Sequence, residues 1–251
     1  MKKLIAFDLD DTLAVTKSPI TERMAGLLAE LTKYYEICII SAGRVDQMRS
    51  NVVERLSIPK ERLSKFHLMT AGTQYYTYNK AADEWQRQYI EALTDEEKAR
   101  IASALEEGAK SVGMWLDDPA GPHIDDRLSL IAFSALGQHA KPEDKYAWDP
   151  DRKKRQKLRA AVAERIPDFE VVIDSTTSLN IMRPGVNKGY GMQKLLEMTG
   201  LKKSDVLFIG DQLRPDGNDY AIKQLGIDTI AVTCWQDTAL VIDGILGVSG
   251  A

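Results

Sequence analysis

The sequence predicts an α/β protein, a parallel-sheet core interrupted by an inserted α+β domain. Two observations carry this. At both ends of the chain, short all-apolar runs alternate with helically spaced segments, as the strands and covering helices of a parallel sheet do. Between about Asp83 and Arg183 that rhythm breaks, turn residues multiply and the strand signals lie further apart. The core is therefore read as 1–82 with 184–251 and the insertion as 83–183, with crossings near 81–83 and 183–186. At 251 residues the chain is long enough for one large domain or two modest ones.

In the first core segment, residues 3–7 form a short apolar strand that runs into acids. Residues 22–33 have helical spacing, with Met24, Leu27, Leu28 and Leu31 on one face. Residues 37–40 are all apolar, as a buried parallel strand should be. A Ser41-Ala42-Gly43 turn precedes a helix over 45–56, and strands follow at 66–69 and 74–78. In the insertion, Thr94 caps a helix over 95–107, with Glu97 at the capping-box position. The turn-rich stretch 117–122 is excluded from helix and central strand. Strands are expected at 128–133, 170–173 and 178–182. The core then resumes with a helix over 187–198, a strand over 206–209, a helix over 219–225, a strand over 227–232 and a last helix over 238–246.

Hydrophobic residues make up 44% of the chain and charged residues 28%, an ordinary globular balance. No apolar run approaches the ~18 residues of a membrane span. The run Leu4 to Phe7 is shorter than the roughly 7–15 residues of a signal peptide. Cys38 and Cys234 lie in apolar runs and read as buried free thiols, since a disulfide needs an oxidising compartment. A cytoplasmic protein with no membrane partner is expected. Net charge is −4, which argues against a global grip on nucleic acid. The basic run Arg152-Lys153-Lys154-Arg155-Gln156-Lys157-Leu158-Arg159 reads as the wet face of a helix reaching about Glu164.

The chemistry concentrates where strands end. Phe7-Asp8-Leu9-Asp10-Asp11-Thr12-Leu13 follows the first strand directly, and open α/β sheets bind ligands at strand carboxyl ends. Asp8 and Asp10 are two apart there. Crowded carboxylates repel unless a cation lies between them or one is protonated, and magnesium takes hard oxygen ligands, usually one or two of them carboxylates. Gly210-Asp211 sets a third carboxylate at a strand end, and Pro215-Asp216-Gly217-Asn218-Asp219 is a tight turn that carries a fourth. Lys188 opens a helix, where an ammonium can neutralise a phosphate and a carboxylate nucleophile together. Each feature alone has a bland reading, a solvated acidic loop or a surface lysine. All three in this order at strand ends and a helix start point to phosphoryl transfer. A receiver domain gathers similar groups but has half this length and no insertion.

Asp8-Leu9-Asp10-Asp11-Thr12 resembles motif I of the haloacid dehalogenase-like (HAD) superfamily, Lys188 its motif III lysine, and Gly210-Asp211 with Asn218-Asp219 its motif IV. The resemblance implies a Rossmann-like HAD core with a large α/β cap inserted between motifs II and III. It is closest to the eukaryotic-type phosphomannomutases, through Ser178-Leu179-Asn180-Ile181-Met182, Gly185, Asn187-Lys188-Gly189-Tyr190 and the ten residues from Gly210 to Asp219. It further implies that Asp8 attacks phosphorus and forms an aspartyl phosphate. Asp10 would serve as general acid and then base. Mg2+ would be held by Asp8, the Asp10 carbonyl and Asp211, with Asp219 supporting Asp211 or Lys188. Motif II falls at Ile40-Ser41-Ala42-Gly43-Arg44. Its hydroxyl, Ser41, stands one place earlier than in relatives that read Thr-Gly-Arg, so either Ser41 or the loop amides serve.

The same resemblance separates hydrolysis from mutase work. A hexose-phosphate mutase needs a second anion site on the cap. Arg127 matches the first cap arginine and Ser178 the serine. Gln138 stands where a second arginine is expected, Lys145 where a third is, and Asn180 replaces an acid. Lys17 replaces an arginine near motif I, and Arg44 joins it among the expected substrate contacts. An amide in place of a guanidinium removes a charge and a bidentate fork, for which nearby Arg183 is the candidate compensator. The leading expectation is a phosphatase acting on a sugar phosphate or similar small metabolite, with a phosphomannomutase as the alternative. The cap is expected to open and close over Asp8. A homodimer is the one protein assembly considered.

Overall fold

The computed structural model describes residues 2–250. In chain order the elements are β1 (Leu4–Phe7), α1 (Glu22–Leu31), β2 (Glu36–Ser41), α2 (Val45–Asn51), β3 (Phe66–Thr70), β4 (Gln74–Asn79) and β5 (Glu84–Ile90). Then come α3 (Asp95–Ser111), β6 (Ile124–Asp126), β7 (Ile131–Ser134), α4 (Pro142–Trp148), α5 (Lys153–Arg165), β8 (Glu170–Ile173) and β9 (Ser178–Met182). The chain closes with α6 (Lys188–Thr199), β10 (Val206–Gly210), α7 (Tyr220–Gln224), β11 (Asp228–Ala231) and α8 (Trp235–Ser249). Two compact units result, residues 1–90 with 187–251, and residues 91–186.

The first unit is built on a seven-stranded sheet in the order β11-β10-β1-β2-β3-β4-β5. Strands β11 to β3 run parallel, and β4 and β5 are antiparallel additions. The continuous apolar runs are explained by burial on both faces. Ile5 and Phe7 of β1 join Ile37, Ile39, Met24, Leu28 and Ile242 on one face. Leu4 and Ala6 join Cys38, Ile40, Phe208, Met192 and Leu195 on the other. Strand order reverses at β1, which has β2 on one side and β10 on the other, so the carboxyl ends of β1 and β10 form the switch-point crevice of an open sheet.

The second unit is a four-stranded antiparallel sheet, β6-β7-β9-β8. Helices α3 and α5 cover one face, where Ile101, Leu105, Leu158 and Val162 meet Ile131, Phe133, Leu179 and Ile181. The period of two then puts Ser178, Asn180 and Met182 of β9 on the opposite face.

Several expectations need correction. The first crossing lies at 90/91, not 82/83, because the stretch 84–90 pairs with β4 in the core sheet. Its polar sequence, Glu-Trp-Gln-Arg-Gln-Tyr-Ile, is that of an exposed edge strand and carries little apolar signal. The second crossing lies at 186/187. The helix expected through Leu56 stops at Asn51, since Val52 leaves helical geometry and a 3₁₀ turn follows. The strand expected over 128–133 is a hairpin turn followed by β7. Leu128 sits at φ 69°, and its amide donates to Asp126 Oδ1 at 2.7 Å. Helix α4, opened by Pro142 in its first turn, has no sequence-level counterpart. In the basic run, Lys153, Lys154, Lys157 and Arg159 are exposed as expected. Arg155 is not, being 8% exposed and ion-paired to Asp149 at 2.8 Å. Cys38 is buried, whereas Cys234 is half-buried at the start of α8, and both are free. No helix among the described residues is long and apolar enough to cross a membrane.

Candidate active site

Asp8 is the first residue beyond β1, and its amide still follows the parallel ladder, donating to the Ile209 carbonyl at 3.0 Å. The chain then turns sharply. The Leu9 carbonyl accepts from the amides of Leu13 (2.9 Å) and Ala14 (3.1 Å), with Asp11 in the left-handed region at φ 58°. Asp8 is thereby fixed at the floor of the crevice and is only 6% exposed.

Lys188 arrives from the far end of the sequence as the first residue of α6. Asn187 caps that helix, its side chain accepting from the amides of Gly189 and Tyr190. Lys188 Nζ donates to Asp8 Oδ1 and to Asp219 Oδ1, both at 2.7 Å, and the lysine is 3% exposed. Asp219 is fully buried, and its second oxygen accepts from the Gln212 amide at 3.1 Å. Gly210 makes room for it, because a Cβ there would overlap Asp219 Oδ2. Asp211 follows β10 directly. One of its oxygens accepts from the Gln212 side-chain amide, and the other, Oδ1, is buried without a hydrogen-bond partner among the described residues.

One oxygen each from Asp8, Asp211 and Asp219 lies within 4.8 Å of the others. Burial pushes the Asp8 carboxyl well above its ordinary pKa; Lys188 opposes the shift, and Asp219 and Asp211 add to it. Burial likewise raises Asp211 to about 6, against the Gln212 hydrogen bond and with Asp219 adding to the rise. Burial alone would lower Lys188, but Asp219 and Asp8 outweigh it and hold the ammonium protonated. When ionised, the three carboxylates outnumber the one ammonium by two negative charges in a buried site. A divalent cation balances that excess, and the donors are the hard oxygens that magnesium prefers. The residues present therefore fit such an ion.

The other expected residues distribute as follows. Asp10 stands outside the three-carboxylate group, and its Oδ1 accepts from the Lys17 amide at 2.6 Å. Ser41 closes β2, is buried, and its hydroxyl accepts from the Gly43 amide at 3.1 Å. Lys17 and Arg44 are exposed. Arg127, Gln138, Lys145, Ser178 and Asn180 all belong to the second unit. There Arg127 Nε donates to Asp125 at 2.9 Å, and Lys145 Nζ donates to the Gln138 carbonyl at 3.1 Å. Ser178 accepts from the Ser175 hydroxyl at 3.5 Å. Asn180 is 3% exposed, with Oδ1 unpartnered among the described residues. Arg183, the candidate compensator for Gln138, donates to Glu97 through bonds of 3.1 and 2.7 Å. Gln212 was not singled out from the sequence. Its only signal there is a polar side chain between two motif carboxylates.

Residues 137–222 match the family described as haloacid dehalogenase-like hydrolase. A phosphomannomutase of Encephalitozoon cuniculi (strain GB-M1) is 24% identical over 230 residues, which is 88% of this chain and 84% of that protein. The structure of N-terminally truncated, IMP-bound Plasmodium falciparum IMP-nucleotidase superposes with a TM-score of 0.70 at 16% identity, covering 98% of this chain and 68% of that one. A haloacid dehalogenase-like hydrolase from Bacteroides thetaiotaomicron gives 0.61 at 18% identity, over 98% and 100% of the two chains. Over residues 137–222 the chain thus resembles haloacid dehalogenase-like hydrolases, over most of its length it resembles phosphomannomutases, and together the matches indicate a phosphohydrolase or phosphotransferase.

Proposed function

We propose that the protein is a magnesium-dependent phosphatase of a sugar phosphate or similar small phosphorylated metabolite, with Asp8 as nucleophile. The observation that carries this is the buried Lys188 ammonium, bonded at 2.7 Å to both Asp8 and Asp219, beside an Asp211 oxygen that lacks a partner. An Asp8 oxygen attacks phosphorus, the bond from phosphorus to the substrate oxygen breaks, and Asp10 gives that oxygen its proton. The carboxylate form of Asp10 then takes a proton from water, whose oxygen attacks the aspartyl phosphate. Inorganic phosphate leaves and Asp8 is restored. Lys188 stays protonated throughout and neutralises charge on the transferred group. Asp8, Asp211 and the Asp10 carbonyl would hold Mg2+. Asp219, with both oxygens occupied inside the protein, positions Lys188. The ion's contribution is to screen negative charge so that a carboxylate can approach a phosphate.

The substrate's far end is assigned to Arg127, Lys145, Ser178 and Asn180 of the second unit, with Lys17 and Arg44 nearer motif I. Neutral Asn180 and Gln138 favour hydrolysis, because they supply neither the acid nor the guanidinium that a second phosphate site uses. The other reading, phosphomannomutase activity, is favoured by the curated relative named above. A phosphate-release screen over sugar phosphates with Mg2+, beside a mannose 1-phosphate isomerisation assay, decides between them. Isomerisation much faster than release reverses the ranking, and no turnover of any phosphate ester overturns the function. A cytoplasmic location is our reading of the free cysteines.

A further inference from the structure

We propose that Gln212 is a positioning residue for the cation site, its side-chain amide holding one Asp211 oxygen so that the other is presented to the ion. The inference rests on the magnesium reading above. Gln212 Nε2 donates to Asp211 Oδ2, and Arg214 Nη2 donates to Gln212 Oε1 at 2.9 Å. A carboxylate only accepts and a guanidinium only donates, so the amide between them has one satisfactory orientation. Arg214 thus orients Gln212, and Gln212 orients Asp211.

The main chain of the same residue holds the other motif IV carboxylate. The Gln212 amide donates to Asp219 Oδ2 at 3.1 Å, and its carbonyl accepts from the Asp219 amide at 3.3 Å. The loop closes this tightly because residue 217 is glycine, where a Cβ would overlap the Gln212 carbonyl. Gln212 therefore fastens Asp219, which holds Lys188, by its backbone, and Asp211 by its side chain. What is left over is Asp211 Oδ1, buried and without a partner among the described residues. A carboxylate whose outer oxygen is hydrogen-bonded is a better-defined metal ligand than one free to rotate.

Arg214 offers a test by sign. If it acts as a bare positive charge, removing it should tighten binding of a divalent cation. If it acts through the amide, removing it should weaken binding. Its side chain is 52% exposed, so its direct field on the site is largely screened.

The experiment is Mg2+ titration by calorimetry without substrate, paired with thermal unfolding in chelator. Gln212→Leu keeps the backbone bonds and most of the volume while deleting the amide. It should lose about 10- to 100-fold in Mg2+ affinity. Its metal-free unfolding temperature should change little. Arg214→Ala should lose affinity in the same direction but by less, and the double variant should match Gln212→Leu alone, since Arg214 works through the amide. Gln212→Met serves if the leucine variant does not fold. A Gln212 variant within about two-fold of wild type overturns the proposal, as does tighter binding by Arg214→Ala. So does a lowered metal-free unfolding temperature with unchanged affinity. Asp211→Asn separates the two readings. If it binds Mg2+ like wild type, the magnesium site itself is wrong. If it loses binding while the Gln212 variants keep theirs, only the positioning role fails.

Discussion

As the proposed nucleophile, Asp8 has to be both buried and reactive. Its burial raises its pKa, yet a nucleophile must be ionised, and among the described residues it is the Lys188 ammonium that opposes that rise. Asp8→Asn is close in shape and still offers Lys188 an oxygen acceptor, so the fold should survive while the nucleophile is lost. Phosphate release should vanish with circular dichroism unchanged, and wild type trapped with a phosphate analogue should carry the adduct on Asp8. Activity within about tenfold of wild type, a barrier change of only ~1.4 kcal/mol, would sink the assignment. Asp8, Lys188, Asp211 and Asp219 were legible in the sequence because each lies at the end of a strongly apolar run or at a helix start. Gln212 was not, because its role depends on which groups its amide meets.

At the scale of elements, helix α6 delivers Lys188, and its seat is made by glycines. A Cβ on Gly191 would overlap the Gly72 Cα, and a Cβ on Gly72 would overlap the Asn187 carbonyl. In an open helix, Gly→Ala gains roughly 1 kcal/mol of propensity. Here the contact is backbone against backbone, and overpacking costs typically about 1–3 kcal/mol. Gly191→Ala is thus expected to lower the unfolding temperature and to reduce kcat by shifting Lys188. Raised stability at unchanged kcat would contradict this. In the second unit, α3 starts with a reciprocal cap between Thr94 and Glu97, and Glu97 also holds Arg183. The Arg183 hydrogen bonds first, then the Thr94 amide, lower Glu97 to about 2. A depressed folded-state pKa stabilises above the ordinary carboxylate value and is lost as pH falls toward the folded one. Melts of wild type and Glu97→Gln should therefore differ at pH 5 and converge between about pH 4.5 and 2. A constant difference over that range would exclude the linkage. The capping box was legible as a local pattern, whereas Arg183 as partner, 86 residues away, was not.

At the scale of the whole molecule, the proposed preference for hydrolysis over isomerisation rests on residues far from Asp8 in sequence. If Gln138 and Asn180 are what disfavour a mutase, Gln138→Arg with Asn180→Asp should raise mannose 1-phosphate isomerisation relative to phosphate release. Parallel assays of both products measure that ratio, and an unchanged ratio would move the cause elsewhere. Asn180 makes the substitution informative, since its buried Oδ1 lacks a partner among the described residues while its neighbours Leu179 and Ile181 pack in the core.

By itself the sequence determined the α/β class, the interruption by an α+β insertion, and the strand-end placement of the acids and the lysine. These are local properties, because apolar period, turn chemistry and caps act over a few residues. Tertiary structure alone decided that Lys188 meets Asp8 across 180 positions, and that the stretch 84–90 belongs to the core sheet. It also decided that Arg155 and Arg183 are spent on Asp149 and Glu97. The reason is physical. A local pattern fixes whether a side chain is buried, but a buried charge or edge strand takes whichever partner folding brings within reach. That choice is made by desolvation and geometry across the whole chain.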